Sequence, residues 1–470
     1  MPVPVNNESL FSQGRTASCI GGIALISLLA FEAIAVAAAM PAVATALGGL
    51  DFYAIAFGGT LATSVVGMAL GGEICDRYGA ARSAWLGLAA FIAGLLAAGA
   101  ASDMYTLVLG RLMQGLGSGL LGVAIYVGMS RAVPPALHPK LFAMFAGAWV
   151  VPALIGPGIA AGLVHAFGWR AVFLAVAAVA PVAGALLLPA LSRQAAPAGA
   201  DKPMRWRRLG WSLLAAGGAL TLHGSSHLPQ PEWIPPVLAI GFAVAVFAAR
   251  RLLPAGSLRA AEGLPAVVAM RGLIAAAFFA SEAFVPLILT TRYRWSLAEA
   301  GLALTAGALM WSVGSATQAR LRAEAARRRG LTAGFVAMAV GLSVALVAAG
   351  LSLHPAWVVA GWALNGLGIG LSFPMLSVLT MKLSRPDEQG SNASALQLSD
   401  ALSSSIALAL AGMLMHALAR PAAPPDAQPI LALSALLALA GAWVSPRAFH
   451  ATVRHPSRSG PQQDGAGSGA

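Results

Sequence analysis

The chain has 470 residues, of which 58% are hydrophobic and only 10% charged, and its mean hydropathy is +0.77. No soluble domain of that size needs so much apolar surface, so the composition excludes a soluble globular protein and predicts an all-α polytopic membrane protein. A formal charge of +12 would suit nucleic acid, but the basic residues gather on one side of the predicted spans, which excludes that partner.

At roughly 20 apolar residues per span, helices are predicted at 18–46, 52–72, 83–101, 104–130, 141–166 and 170–191. The first run is far longer than a signal-peptide core and should be retained. A polar stretch at 192–208, carrying Arg193, Lys202, Arg205, Arg207 and Arg208, reads as a cytoplasmic linker. Two further apolar runs follow at 209–226 and 234–252, all within a segment spanning 209–252. A second set of six lies at 265–291, 297–318, 331–352, 356–381, 392–417 and 428–445. Residues 1–17 form a cytoplasmic tail, and 446–470, rich in Pro, Gly, Ser and Gln, a disordered one. The expected domains are therefore a six-helix half at 18–191, the linker, two inserted helices, and a second half at 265–445.

Fourteen spans put both termini on one side. With that side cytoplasmic, only Arg170, Arg292, Arg294 and Arg420 face outward, Arg111 and Arg271 sit within helices, and the other 23 of 29 basic residues face inward. If the hairpin at 209–252 stays out of the bilayer, twelve spans give the same sidedness. Cys19 and Cys75 fall near the cytoplasmic face, so no disulfide is expected. An internal repeat relates the halves: Gln114-Gly115-Leu116-Gly117-Ser118-Gly119-Leu120 recurs as Asn365-Gly366-Leu367-Gly368-Ile369-Gly370-Leu371, 251 positions later. Phe31-Glu32-Ala33 recurs as Ser281-Glu282-Ala283, 250 positions later.

Ionisable groups inside the bilayer cost roughly 2.5–3.5 kcal/mol each on insertion scales, so each needs a reason. Glu32 lies about 21 Å from the inner end of its helix and Arg111 about 10 Å from the outer end of its own, so the two sit at similar heights and are expected to approach one another. Such a pair is tunable, because the arginine favours the charged carboxylate and desolvation the neutral one; the plain alternative is a structural fastening of two helices. Arg271 precedes Glu282 by eleven residues and, being near the inner end, is expected to snorkel to the headgroups. Asp400 reads either as a second proton or cation carboxylate, or as a hydrogen-bond partner of Ser403 and Ser404. Trp149, Trp311 and Phe278-Phe279 line a cavity or simply pack. His223 and His227 have metal-pair spacing but no nearby carboxylate or cysteine, so no metal is expected. The sequence contains neither G-x-x-x-x-G-K-[ST] nor H-E-x-x-H; no cofactor is expected, and any transport would draw on a gradient.

Between the second and third predicted helices lies Gly72-Glu73-Ile74-Cys75-Asp76-Arg77-Tyr78-Gly79-Ala80-Ala81-Arg82. Asp76 is placed to accept from backbone donors opening the next helix, while Arg77 and Arg82 supply inner-side charge. The G-x-x-x-D-R-x-G pattern resembles the signature loop of the major facilitator superfamily, with departures at Glu73 and Ala80-Ala81. Arg111-x-x-Gln114-Gly115-x-Gly117-x-Gly119 resembles that family's helix 4 motif, whose arginine the resemblance associates with proton coupling; Trp362 stands at the repeat position. Pro152, Gly156-Pro157-Gly158 and Gly162 resemble its helix 5 antiporter motif, and on physics alone imply a kinked, tightly packed helix. Trp169-Arg170-Ala-Val-Phe173 also matches where helix 6 begins. In the second half, Gln318 stands where a carboxylate would be, so the strong latch belongs to the first half only.

The resemblance, with fourteen spans, implies the drug:proton antiporter branch and the major facilitator fold. It implies export of hydrophobic or cationic small molecules in exchange for protons, by a monomer in contact with membrane lipids; the high alanine content and the absence of organelle signals point to a bacterial inner membrane. Glu32, Glu282 and Asp400 would be proton or substrate carboxylates, Arg111 their modulator, and Asp76 with Arg77 the gate latch. Proton symport of a metabolite and lipid export on the same fold are the alternatives. A membrane enzyme or receptor fits less well, since no clustered catalytic set or soluble signalling domain is present.

Overall fold

The computed structural model describes residues 10–11, 15–48, 53–194, 205–224, 230–295, 297–417 and 427–449. Fourteen α-helices follow in order: α1 (Thr16–Leu47), α2 (Tyr53–Tyr78), α3 (Ala80–Gly99), α4 (Met104–Ala132), α5 (His138–Phe167), α6 (Arg170–Ser192), α7 (Trp206–Gly224), α8 (Ile234–Leu252), α9 (Leu264–Arg292), α10 (Leu297–Arg320), α11 (Glu324–Gly350), α12 (Ala356–Leu383), α13 (Gln389–Ala417) and α14 (Gln428–Val444). Of these, α1, α3, α4, α6, α8, α9, α11, α12 and α14 are long and apolar enough to cross a membrane. The bent α5 makes a tenth when its two arms are counted together. The predicted terminal tails are almost entirely outside the described residues, as are the middle of the linker and the side chains of His223 and His227.

Helix ends follow local chemistry. Asp103 caps α4 by accepting the Thr106 backbone N–H at 2.8 Å, and this exposed carboxyl, outside the spans, is held below the usual carboxylate range by that bond and the Thr106 hydroxyl. Prolines open α5, α8, α9 and α14, where a missing N–H costs nothing. Gly79, at φ 89°, separates α2 from α3 in a conformation that a side chain resists. The loop is therefore a one-residue break, and α2 runs six residues past its predicted end to Tyr78.

Lipid tails offer no hydrophobic drive between helices, so close packing does the work. The helices α1 to α6 pack chiefly on one another, and so do α9 to α14. The same contacts recur in both sets. A Cβ on Gly115 would strike the Thr60 carbonyl of α2, and one on Gly119 that of Ser64. In the second set Gly366 meets the Gly307 carbonyl of α10, and Gly370 that of Trp311. The repeat seen in sequence is thus a repeat of backbone-to-backbone contact.

Helices α7 and α8 pack together through Gly218 and Gly241. As a hairpin they lie against both α2 and α13, through an apolar cluster that includes Val65, Ala215, Ala248, Leu252, Leu398 and Leu402. Large apolar side chains such as Trp85, Val182, Leu436 and Trp443 stay exposed on the outside of the bundle, as a lipid-facing surface requires.

Candidate functional site: two buried ion pairs and a latch

The first site joins α1 to α4. Glu32 and Arg111 form an ion pair, both nearly inaccessible to solvent. The arginine is anchored independently of the carboxylate: its Nε donates to the Ala56 carbonyl at 3.2 Å and a terminal nitrogen to Gln114 Oε1 at 2.8 Å. Gln114 Nε2 is buried without a partner among the described residues. Besides Glu32, the guanidinium thus has two further acceptors.

The second site joins α9 to α13 and corrects an expectation. Arg271 does not snorkel: it is buried, and its Nε and a terminal nitrogen each lie 3.0 Å from Asp400 Oδ2. It also donates to the Phe373 carbonyl at 3.1 Å and to Ser377 Oγ at 3.3 Å, and it stacks on the Phe373 ring, 3.1 Å from its centroid. The reason is the face: Arg271 points toward α12 and α13 rather than toward lipid, so acceptors are nearer than headgroups. Asp400 Oδ1 is buried without a partner among the described residues. Ser404 donates to the Asp400 backbone carbonyl, not to its carboxylate.

Glu282 is half-buried on α9 and no ion-pair partner for it occurs among the described residues. Trp362, at the position that Arg111 holds in the first set, packs instead in an aromatic cluster with Phe278, which also touches Trp311. Those three rings are buried, whereas Trp149 is exposed. An apolar groove along Val336, Val340, Trp357 and Leu439 lies on α11, α12 and α14, away from all these carboxylates.

The third site is the loop motif. Asp76 does not cap the helix that follows it, which has no side-chain cap. Its carboxylate accepts the backbone N–H groups of Gly390 at 2.6 Å and Ser391 at 2.8 Å, the opening turn of α13. The correction follows from the longer α2: Asp76 sits in its last turn and projects sideways across to the second set of helices. A helix N-terminus is a natural seat for a carboxylate. Gly72 explains itself here as well, because a Cβ there would come within 2.8 Å of the Gly390 carbonyl. Arg131, at the end of α4, bonds Gln389 Oε1 at 3.1 Å and the Pro386 carbonyl at 3.2 Å, and lies 4.0 Å from Asp76. Arg77 and Arg82 lie over the Tyr78 ring. Gln318, the counterpart of Asp76, is buried with Oε1 unpartnered among the described residues.

In α5 the chain bends by 46° between the segments Pro135–Ala153 and Gly158–Phe167. Among the described residues nothing lies within 4 Å of a Cβ built on Gly147, Gly158 or Gly162, whereas one on Gly156 would meet Ile34 and Phe31 of α1. The side chain of Pro157 is outside the described residues. Sequence reasoning missed Arg131 and Arg208 as cross-linking residues; the one available flag was Glu73, out of place in its motif.

Two sets of long apolar helices with matching internal contacts suit a polytopic membrane protein, and the family and relatives it matches make it a transporter, not an enzyme. The chain belongs to the Major Facilitator Superfamily, whose family model matches residues 20–321 and 267–468. A probable multidrug-efflux transporter of Mycobacterium tuberculosis strain H37Rv is 27% identical over 461 residues, covering 94% of this chain and 96% of that protein. Multidrug resistance protein 3 of Bacillus subtilis strain 168 is 28% identical over 162 residues, 34% of this chain and 32% of that one. Among solved structures, a bacterial homologue of the iron transporter ferroportin in an outward-facing state has a TM-score of 0.66 at 13% identity, covering 92% of this chain and 98% of that one. The proton:xylose symporter XylE has 0.65 at 12%, covering 91% and 94%. At these identities the likeness concerns the fold.

Proposed function

We propose that this protein exports hydrophobic or cationic small molecules in exchange for protons, as a monomer in a bacterial inner membrane. In this reading all fourteen helices span, both termini are cytoplasmic, and the two six-helix sets rock about a midplane cavity to give alternating access. The observation that carries the reading is the buried Glu32–Arg111 pair. A carboxylate and a guanidinium in low dielectric hold each other charged only while both stay charged, so a proton on Glu32 releases the pair. Arg111 keeps the Ala56 carbonyl and Gln114 as acceptors, and the event therefore frees α1 from α4 without stranding the arginine.

The direction of traffic is supported by the bent α5 with its Gly-Pro motif and by the near full-length relative named a probable multidrug-efflux transporter. In the transport cycle Glu32 takes a proton from the outer side as substrate leaves outward, and gives it up to the inner side after the halves have rocked. Asp400 and Glu282 serve as further proton or substrate carboxylates. Asp76, with Arg131 beside it, closes the cytoplasmic side by holding α13.

The test is transport in proteoliposomes under a pH difference, with lumenal pH recorded while lipophilic cations and neutral drugs are added. Wild type should move protons opposite to substrate, and Glu32→Gln should still bind substrate but lose that countermovement. Substrate equilibration with no proton movement in wild type, or normal coupling in Glu32→Gln, would overturn the reading.

A further inference from the structure

The backbone of Ser391, in the first turn of α13, is held at both its N–H and its carbonyl. Its N–H donates to Asp76 Oδ2 at 2.8 Å. Its carbonyl accepts from Arg208 at 2.9 Å. Arg208 belongs to α7, the start of the inserted hairpin, and its other terminal nitrogen reaches Glu73 Oε1 at 3.4 Å. Glu73 and Asp76 are three residues apart on α2, hence on one face of that helix. One carboxylate thus holds α13 directly by its N–H, and the other holds it by its carbonyl through an arginine from the hairpin. The same nitrogen of Arg208 that reaches Ser391 also lies 3.4 Å from the Leu252 carbonyl, at the end of α8.

The arrangement is lopsided in a way that says which contact yields. On the α2 side Glu73 is also bridged by Arg205, Nε to Oε1 at 3.0 Å, and accepts the Arg205 backbone N–H at 3.4 Å. On the α13 side Arg208 has a single neutral carbonyl. The bond to Ser391 has one charged partner, whereas the pair with Glu73 has two and is reinforced by Arg205. When α2 and α13 part, Arg208 stays with Glu73 and gives up Ser391.

We propose that α7 and α8 are a working part of the gate: Arg208 is a positioning residue that, set by Glu73, ties the first turn of α13 to α2 while this end of the transporter is closed. Glu73 departs from the signature pattern because it has this second task. The inference rests on the rocking motion of the proposed function but not on proton coupling or on the identity of the substrate.

Cys75 is a native reporter. The residue is fully buried, with its Cβ 2.9 Å from where a Cβ on Gly390 would stand. In a Cys19→Ala background, the rate of Cys75 alkylation by N-ethylmaleimide reads how often α13 leaves α2; two pH values separate exposure from thiolate fraction. Loss of one charge-assisted bond should raise that rate about tenfold in Arg208→Ala and in Glu73→Ala. The double variant should exceed neither, since the two act in series. Arg208→Lys keeps a charge for Glu73, and with it the docking of the hairpin, but lacks the fork that reaches Ser391 at the same time, so it should raise the rate as Arg208→Ala does. Asp76→Ala calibrates the scale. If Asp76→Ala exposes Cys75 but Arg208→Ala and Glu73→Ala do not, the hairpin clamp is overturned while rocking at this seam stands. If Cys75 stays closed in every folded variant, the rocking at this seam fails and the clamp with it.

Discussion

Replacing Asp76 by Asn is the sharpest perturbation of the closed end. The wild-type carboxylate is buried and offers an oxygen to each of two backbone donors, at 2.6 and 2.8 Å. The amide of Asn has one acceptor oxygen and turns an NH2 toward the other donor. One N–H at the start of α13 is then left without a partner, and the remaining bond loses its charge. Bonds to charged groups contribute about 1.5–3 kcal/mol each, and every 1.4 kcal/mol is a factor of ten, so the closed state should lose about 10- to 100-fold in population relative to the open one. The assay is a distance distribution between spin labels at Arg82 on α3 and Lys382 on α12, both exposed at this end, with Cys19 and Cys75 replaced. Asp76→Asn should add a longer-distance population that wild type lacks. A folded Asp76→Asn protein with the wild-type distribution would refute the claim that this carboxylate holds the two sets together.

Removing Asp400 leaves Arg271 buried without its carboxylate, with neutral partners such as the Phe373 carbonyl and the Ser377 hydroxyl. Asp400→Leu should therefore destabilise the protein by about 3–5 kcal/mol, and Arg271→Met/Asp400→Leu should recover most of it; thermal unfolding in detergent measures both. Glycine positions separate packing from function. Gly115→Ala would drive a methyl into the Thr60 carbonyl and should cut the yield of folded protein. Gly162→Ala meets no atom within 4 Å among the described residues, so it should leave thermal stability unchanged and change transport rate only if the α5 motif acts in function.

The sequence alone determined the class of this protein and that Glu32 and Arg111 meet. Long apolar runs can cross a bilayer only as helices, because no other open structure satisfies the backbone there. The 250-residue and 251-residue offsets of Glu32 to Glu282 and Gln114 to Asn365 marked a duplication, since backbone contact through glycine leaves a trace in spacing. Counting residues from helix ends brought Glu32 and Arg111 to one height, because rise per residue is constant. Partners across non-adjacent helices were not legible in this way. Which way a side chain points depends on helix rotation and neighbours, which no period in a single chain encodes. Sequence position alone therefore makes Arg271 a headgroup anchor, whereas its face turns it to Asp400, and it assigns Asp76 to the next helix, whereas the donors it meets lie 314 and 315 residues away. The bond of Arg208 to Ser391 spans 183 residues and exists because α7 and α8 settle against both α2 and α13. Only the packed bundle decides such contacts, because they follow from which helices end up side by side.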